Sequence, residues 1–131
     1  MTPSLDTSFK NTAPPVLRIG LALVFIWFGI QQLSDASVWL SYVPDFVVSI
    51  SHVTVTTLVH FNGAFEVVFG LALLLGFFTR TTALLLALHM ADIALIVGFT
   101  SIGVRDFGLT VATAAIFFYG ADWLSIDRRF R

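Results

Sequence analysis

The chain has 131 residues, of which 57% are hydrophobic and 11% charged, with a formal net charge of -1 and no cysteine. A soluble domain carries roughly 25% charged residues, so this composition excludes a water-soluble globule, and the near-neutral charge argues against a nucleic-acid partner. The lack of cysteine excludes dithiol chemistry and thiolate metal sites. The length fits one domain.

The first apolar segment follows a polar leader over residues 1–13. Pro14 and Pro15 suit the first turn of a helix, and residues 16–33 are apolar over a length that crosses a hydrocarbon core of about 30 Å. This run exceeds the roughly 7–15 residues of a signal-peptide core, and no basic cluster precedes it. We therefore predict a retained transmembrane helix rather than a cleaved signal peptide.

Residues 34–51 are too polar for the hydrocarbon core and include Trp39 and Tyr42. Both residue types favour the headgroup zone. We expect this segment to lie along the membrane interface, partly as a short helix.

Three further spans are predicted, at residues 56–78, 81–100 and 107–124. Thr79 and Arg80 are expected to form the tight turn between the second and third spans, and residues 103–106 to precede the fourth. The sequence thus predicts one domain of the all-α class, an integral membrane antiparallel four-helix bundle.

Positive charges are distributed unevenly between the two ends of this bundle. One end holds both termini and six of the seven basic residues: Lys10, Arg18, Arg80, Arg128, Arg129 and Arg131. The other end holds only Arg105. Because cytoplasmic segments are enriched in Lys and Arg, we predict that both termini are cytoplasmic.

Three ionisable residues fall near the middle of the second and third spans. Counted from the predicted turn at about 1.5 Å per residue, Glu66 lies about 20 Å and Asp92 about 19 Å into the membrane. His89 lies on the Asp92 face, one turn closer to the cytoplasm. Because lipid cannot solvate a charge, each such residue needs a partner, a cavity or a function.

Helical spacing places the polar residues of each span on one stripe. The stripes are Arg18, Ala22, Phe25, Gly29 and Gln32 in the first helix; Asn62, Glu66, Gly70 and Leu73 in the second; Thr82, Leu85, His89, Asp92 and Ile96 in the third; and Asp106, Thr110, Thr113, Phe117 and Gly120 in the fourth. We expect these stripes to converge inside the bundle. On the opposite side of the third helix, a face of small residues is suited to close packing: Ala83, Ala87, Ala91 and Ala94.

The functional interpretation is a buried polar site built from Glu66, Asp92, His89 and Asn62. Two neighbouring carboxylates in a low dielectric cannot both ionise cheaply, so one is expected to be protonated. Such a pair holds or relays a proton, or hydrogen-bonds a quinone carbonyl. The alternative is a polar clasp that only fixes the register of the helices.

The other polar residues near the spans are interpreted as structural or solvent-exposed rather than as parts of this site. His60 lies about 15 Å from His89 in depth, which argues against a bis-histidine haem, and no metal site is visible. Arg18 is expected to snorkel to the cytoplasmic headgroups, with Asp122 as a candidate partner. Gln32, Arg105 and Asp106 mark the outer end, where a solvated rim is favoured over the mouth of a site.

Three strings resemble the DoxX family of small prokaryotic membrane proteins: LRIGLALVFIWFGIQQL, GAFEVVFGLALLLGFFTRTTALLL and RDFGLTVATAAIFFYGADWLSID. The resemblance runs from about Leu17 to Asp127. Its matching polar positions are Arg18, Glu66, Arg80, Asp106 and Asp127. Gln32 departs from the pattern, because many relatives carry a lysine there.

The resemblance implies a four-helix bundle in the plasma membrane of a prokaryote. Some relatives are described as subunits of thiosulfate:quinone oxidoreductase or as membrane partners in redox assemblies. The resemblance therefore implies a redox partner protein and a quinone as ligand, although the chain itself shows no cofactor site. A homo-oligomer remains open.

The leading hypothesis is thus a membrane subunit of a quinone-linked redox system that acts only in a complex. Glu66 and Asp92 manage the proton in it. The predicted ligand-contacting residues are Asn62, His89, Arg18, Arg80, Gln32 and Arg105. A small proton-coupled transporter and a non-catalytic assembly protein are the alternatives.

Overall fold

The computed structural model describes residues 5–131, and the elements of this part of the chain are all helical. They are α1 (Leu5–Ser34), a 3-10 helix (Ala36–Tyr42), α2 (Asp45–Ser51), α3 (Val55–Leu75), α4 (Thr79–Val97), α5 (Ser101–Tyr119) and α6 (Ile126–Arg129). The helices α1, α3, α4 and α5 are each long and apolar enough to cross a membrane. This architecture confirms the predicted membrane four-helix bundle.

The four long helices pack as two close pairs, α1 with α3 and α4 with α5, while α1 meets α5 and α3 meets α4 over smaller surfaces. We call the end that holds the start of α1, the C-terminal segment and the α3–α4 turn the terminal end. The opposite end, with the 3-10 helix, α2 and the α4–α5 turn, is the loop end. The buried core consists of Leu21, Ala22, Phe25, Leu73, Ala83, Leu86, Met90 and Ile116.

Helix α1 begins before the position that the sequence predicts. Pro14 and Pro15 lie inside α1 rather than in its first turn, and residues 1–4 of the leader lie outside the described chain. Pro15 has no N–H, so the carbonyl of Asn11, four residues earlier, lacks a donor within the helix. The indole Nε1 of Trp123 donates to that carbonyl at 3.1 Å. The C-terminal segment thus satisfies the carbonyl that the proline leaves without a partner.

The turn between α3 and α4 lies at residues 76–78, so the prediction that Thr79 and Arg80 form it is wrong. Gly76 ends α3 in the left-handed region, with φ of 68°. The N–H of Phe77 donates to the carbonyl of Ala72 at 2.9 Å, as in a Schellman cap. Glycine adopts this conformation without strain. Helix α3 therefore ends at Leu75, three residues before the end of the predicted span.

Thr79 and Arg80 instead open α4, because a distant carboxylate caps that helix. Asp127 accepts hydrogen bonds from the backbone N–H groups of Phe78 at 2.8 Å and Thr79 at 2.6 Å. Burial raises the pKa of Asp127, but these hydrogen bonds and the charge of Arg131 hold it below its ordinary value. The C-terminal segment is therefore tied to the start of α4.

Helix α5 begins at Ser101, so residues 103–106 are helical and do not form the loop that the sequence predicts before the fourth span. The Thr100 hydroxyl caps the helix by accepting from the Gly103 N–H at 3.0 Å. The helix ends at Tyr119, before Gly120 with φ of 86°. This earlier start carries Asp106 into the bundle, where its side chain is buried.

Candidate functional site

The site begins with a close approach of α1 and α3. A Cβ atom added to Gly29 would lie 2.7 Å from the Gly63 carbonyl oxygen and 2.9 Å from the Val67 nitrogen. Both atoms belong to backbone that cannot move aside, so only glycine permits this crossing. The same close approach allows the Gln32 side chain of α1 to reach Glu66 of α3.

Three side chains form a hydrogen-bonded group that we call the polar cluster: Gln32, Asn62 and Glu66. Gln32 Nε2 donates to Glu66 Oε2 at 3.0 Å. Asn62 Nδ2 donates to Gln32 Oε1 at 2.6 Å and to Glu66 Oε1 at 3.3 Å. Glu66 is only 3% exposed. Each oxygen of this buried carboxylate therefore has an amide donor, as a buried polar group requires.

His89 faces the polar cluster from α4. Its Nε2 lies 3.9 Å from Glu66 Oε1, beyond hydrogen-bond distance. The imidazole stacks on the Phe65 ring, with centroids 4.3 Å apart. Within residues 5–131, His89 Nε2 is buried without a hydrogen-bond partner. This nitrogen is therefore free to contact a ligand beside Glu66.

Asp92 lies apart from the polar cluster. Its side chain is exposed at the edge of a cavity, one helical turn from His89 on α4. No hydrogen bond or ion pair joins it to Glu66 among the described residues. The buried face of α4 is centred on Ala83, Leu86 and Met90, which leaves Asp92 at the margin of the bundle.

A second buried carboxylate, that of Asp106 in α5, lines the same cavity as Glu66. Arg105 holds it, with Nη2 at 2.7 Å and Nε at 2.9 Å from Asp106 Oδ1. The Arg105 guanidinium also lies 4.4 Å from the centre of the Phe28 ring, in a cation–π contact. The predicted solvated rim is thus wrong for Gln32 and Asp106, which are both buried.

These residues surround a cavity of about 300 Å³ at the loop end, the size of a small ligand pocket. The 3-10 helix and the start of α2 cover it with Trp39, Tyr42 and Val47. Its polar lining consists of Gln32, Asn62, Glu66, His89, Asp92, Arg105 and Asp106. The rest of the wall is mostly apolar, and no group of three potential metal ligands occurs within residues 5–131.

Arg18 and Arg80 lie at the terminal end, away from this cavity. Arg18 is 1% exposed, so it does not snorkel. Its Nε lies 2.7 Å from Asp122, the candidate partner, and its Nη1 donates to the carbonyls of Leu73 at 2.8 Å and Leu74 at 2.5 Å. Arg80 is exposed at the start of α4. The structure therefore does not bring these two arginines to the polar cluster.

A family model described as DoxX matches residues 13–99, about two thirds of the chain. The matched region contains the polar cluster and His89, but not Arg105 and Asp106. No curated protein and no solved structure matches the chain.

Proposed function

The chain belongs to the DoxX family, and we propose that it is the membrane subunit of a quinone-linked redox system whose loop-end cavity receives a quinone head group. The observation that carries this proposal is the convergence of Glu66, Gln32, Asn62 and His89 on one cavity of about 300 Å³ with otherwise mostly apolar walls. Such a combination of an apolar wall and a few convergent polar groups is typical of ligand sites.

The available donors suit a quinone, which presents carbonyl acceptors on a flat apolar ring. His89 Nε2 has no partner among residues 5–131, and its Nε2–H tautomer can donate to a carbonyl oxygen. Gln32 uses one of its two amide hydrogens on Glu66, which leaves the other for the ligand. The rings of Phe28 and Trp39 line the same space.

A bound quinone supplies two-electron, two-proton redox chemistry, and the chain would manage the proton. Glu66 lies 3.9 Å from His89 Nε2, and the exposed Asp92 lies one helical turn from His89 in the lining of the same cavity. These three residues suggest a path from the buried carboxylate to the cavity mouth, with His89 between two carboxylates. In this proposal, a redox partner protein supplies the electrons.

The packing beneath the cavity supports ligand binding over permeation. Toward the terminal end, the bundle is filled by the core that includes Leu21, Leu73 and Leu86, and Arg18 is buried with Asp122 beyond it. Because protein cores of this kind are close-packed, the cavity ends within the bundle. A carrier would need this core to open.

We also propose that the terminal end faces the cytoplasm of a prokaryotic plasma membrane, because six of the seven basic residues lie at that end. A reporter that fluoresces only in the cytoplasm should be bright when fused after Arg131. A cysteine that replaces the exposed Ser41 should react with a membrane-impermeant maleimide in intact cells. An intact fusion protein without fluorescence would indicate the opposite orientation, with the terminal end outside the cytoplasm.

Quinone binding tests the proposed function directly. We expect the purified protein to bind a short-chain quinone, and His89→Phe to weaken that binding by about tenfold, the value of one hydrogen bond. Phenylalanine keeps the ring stack on Phe65 but removes the nitrogen donor. Binding can be measured by fluorescence quenching of the cavity residue Trp39.

The matched control is His60→Phe, which makes the same change at an exposed position of α3. It should leave quinone affinity unchanged. Failure of the parent protein to bind quinones, or equal losses in the two variants, would count against a quinone site at His89 and favour the transporter or assembly alternatives.

A further inference from the structure

A second concave surface lies at the terminal end, opposite the proposed quinone cavity. We call it the terminal groove; it lies between the start of α4, the end of α5 and the C-terminal segment, with a volume of about 1170 Å³. Three arginines line it, Arg80, Arg128 and Arg131, together with Phe78, Tyr119 and Phe130. The groove thus combines concentrated positive charge with exposed aromatic rings.

Within residues 5–131, none of these three guanidinium groups makes an ion pair, although the charge of Arg131 acts on Asp127. The ion pairs among residues 5–131 involve Lys10, Arg18, His89 and Arg105 as the basic partners. The lining of the groove contains one acidic side chain, that of Asp127, which accepts from the N–H groups of Phe78 and Thr79. Three cationic side chains therefore line the groove with one acidic side chain that is already hydrogen-bonded, and the groove favours an anionic ligand.

The position of the groove indicates which anion. It lies where α4 begins and α5 ends, and both helices are candidate membrane spans, so the groove lies at headgroup depth in a membrane that they cross. Guanidinium groups pair with phosphate through two parallel hydrogen bonds. Aromatic side chains at that depth lie beside the upper part of the acyl chains.

We propose that the terminal groove binds the phosphate of an anionic phospholipid between Arg80, Arg128 and Arg131, with its acyl chains against Phe78 and Tyr119. Basic pockets at the ends of transmembrane helices recognise such headgroups by charge and hydrogen bonding. This site is separate from the quinone cavity, so it does not depend on the proposed redox function.

The test compares phosphatidylglycerol with phosphatidylcholine, titrated into the purified full-length protein in detergent and followed by native mass spectrometry. We expect the parent protein to retain phosphatidylglycerol preferentially. The double variant Arg128→Gln/Arg131→Gln should bind it about tenfold more weakly or worse, with unchanged phosphatidylcholine binding. Arg80 is left intact, because its side chain packs against Gly120.

The matched control, Lys10→Gln/Arg129→Gln, removes two positive charges from the same end without touching residues of the groove. It should keep the preference for phosphatidylglycerol. Equal losses in both double variants would overturn the site in favour of general surface attraction. Displacement of the lipid by inorganic phosphate alone would overturn the assignment of a phospholipid as occupant. Melting temperatures without lipid verify that both variants fold.

Discussion

Replacing Glu66 by glutamine should lower quinone turnover at least a hundredfold, the lower end of the range of about 10²–10⁴ that a positioned acid or base contributes. Glutamine keeps the shape of the side chain but cannot exchange a proton. The fold should persist, because the glutamine oxygen can still accept from Gln32 Nε2, so that only the longer bond from Asn62, at 3.3 Å, is lost. The change also removes a buried carboxylate, so stability is expected to stay equal or rise.

The measurement pairs quinone reduction by membranes that contain the protein and its native partners with a thermal melt of the purified variant. Asp45→Asn is the matched control, because it converts an exposed carboxylate of α2 to an amide. It should retain the parent rate. If Glu66→Gln melts and turns over like the parent protein, Glu66 only holds the helices together. The polar cluster then only fixes the register of the helices, which is the alternative that the sequence analysis gave to a functional site.

The largest expected loss of stability follows Asp122→Asn. This change leaves the buried Arg18 guanidinium without its carboxylate partner, 2.7 Å away. Removing one member of a buried ion pair costs about 3–5 kcal/mol, because the remaining charge is left uncompensated. Arg18 also bonds the carbonyls of Leu73 and Leu74 at the end of α3. Loss of the pair should therefore loosen the terminal end, where α1, α3 and the C-terminal segment meet.

The free energy of unfolding can be measured by titration with a denaturing detergent. Asp6→Asn is the control: it breaks the Lys10–Asp6 pair of 2.6 Å, whose side chains are 72% and 71% exposed. An exposed pair of this kind is worth about 0.5 kcal/mol. Arg18→Met/Asp122→Asn should cost less than the sum of the single changes, because the residues act as a unit. Equal, small losses at both sites would contradict a stabilising role for the buried pair.

The accuracy of the predicted polar stripes differs from helix to helix. In α1, the predicted stripe is confirmed, since Arg18, Ala22, Phe25, Gly29 and Gln32 are all buried. That success follows from helical periodicity, a local property of the chain. In α3, the stripe is mostly confirmed by the burial of Glu66, Gly70 and Leu73.

In α4, the predicted stripe is less accurate, because Leu85 and Asp92 are exposed. This helix is apolar on most sides, so periodicity alone cannot select its inner face. Packing against neighbouring helices selects it instead, and it buries Ala83, Leu86 and Ala87. The two alanines belong to the small-residue face that the sequence singled out for close packing.

The sequence by itself determined the class of protein, since four long apolar segments with few charges can satisfy their backbone in lipid only as helices. It also identified Glu66 and His89 as unusual at that depth, and Asp122 as a candidate partner of Arg18. Only the tertiary structure decided that Gln32 joins Asn62 and Glu66 and that Asp106 lines the same cavity. Those contacts depend on the Gly29–Gly63 crossing and on the early start of α5, which are set by packing and capping between distant parts of the chain.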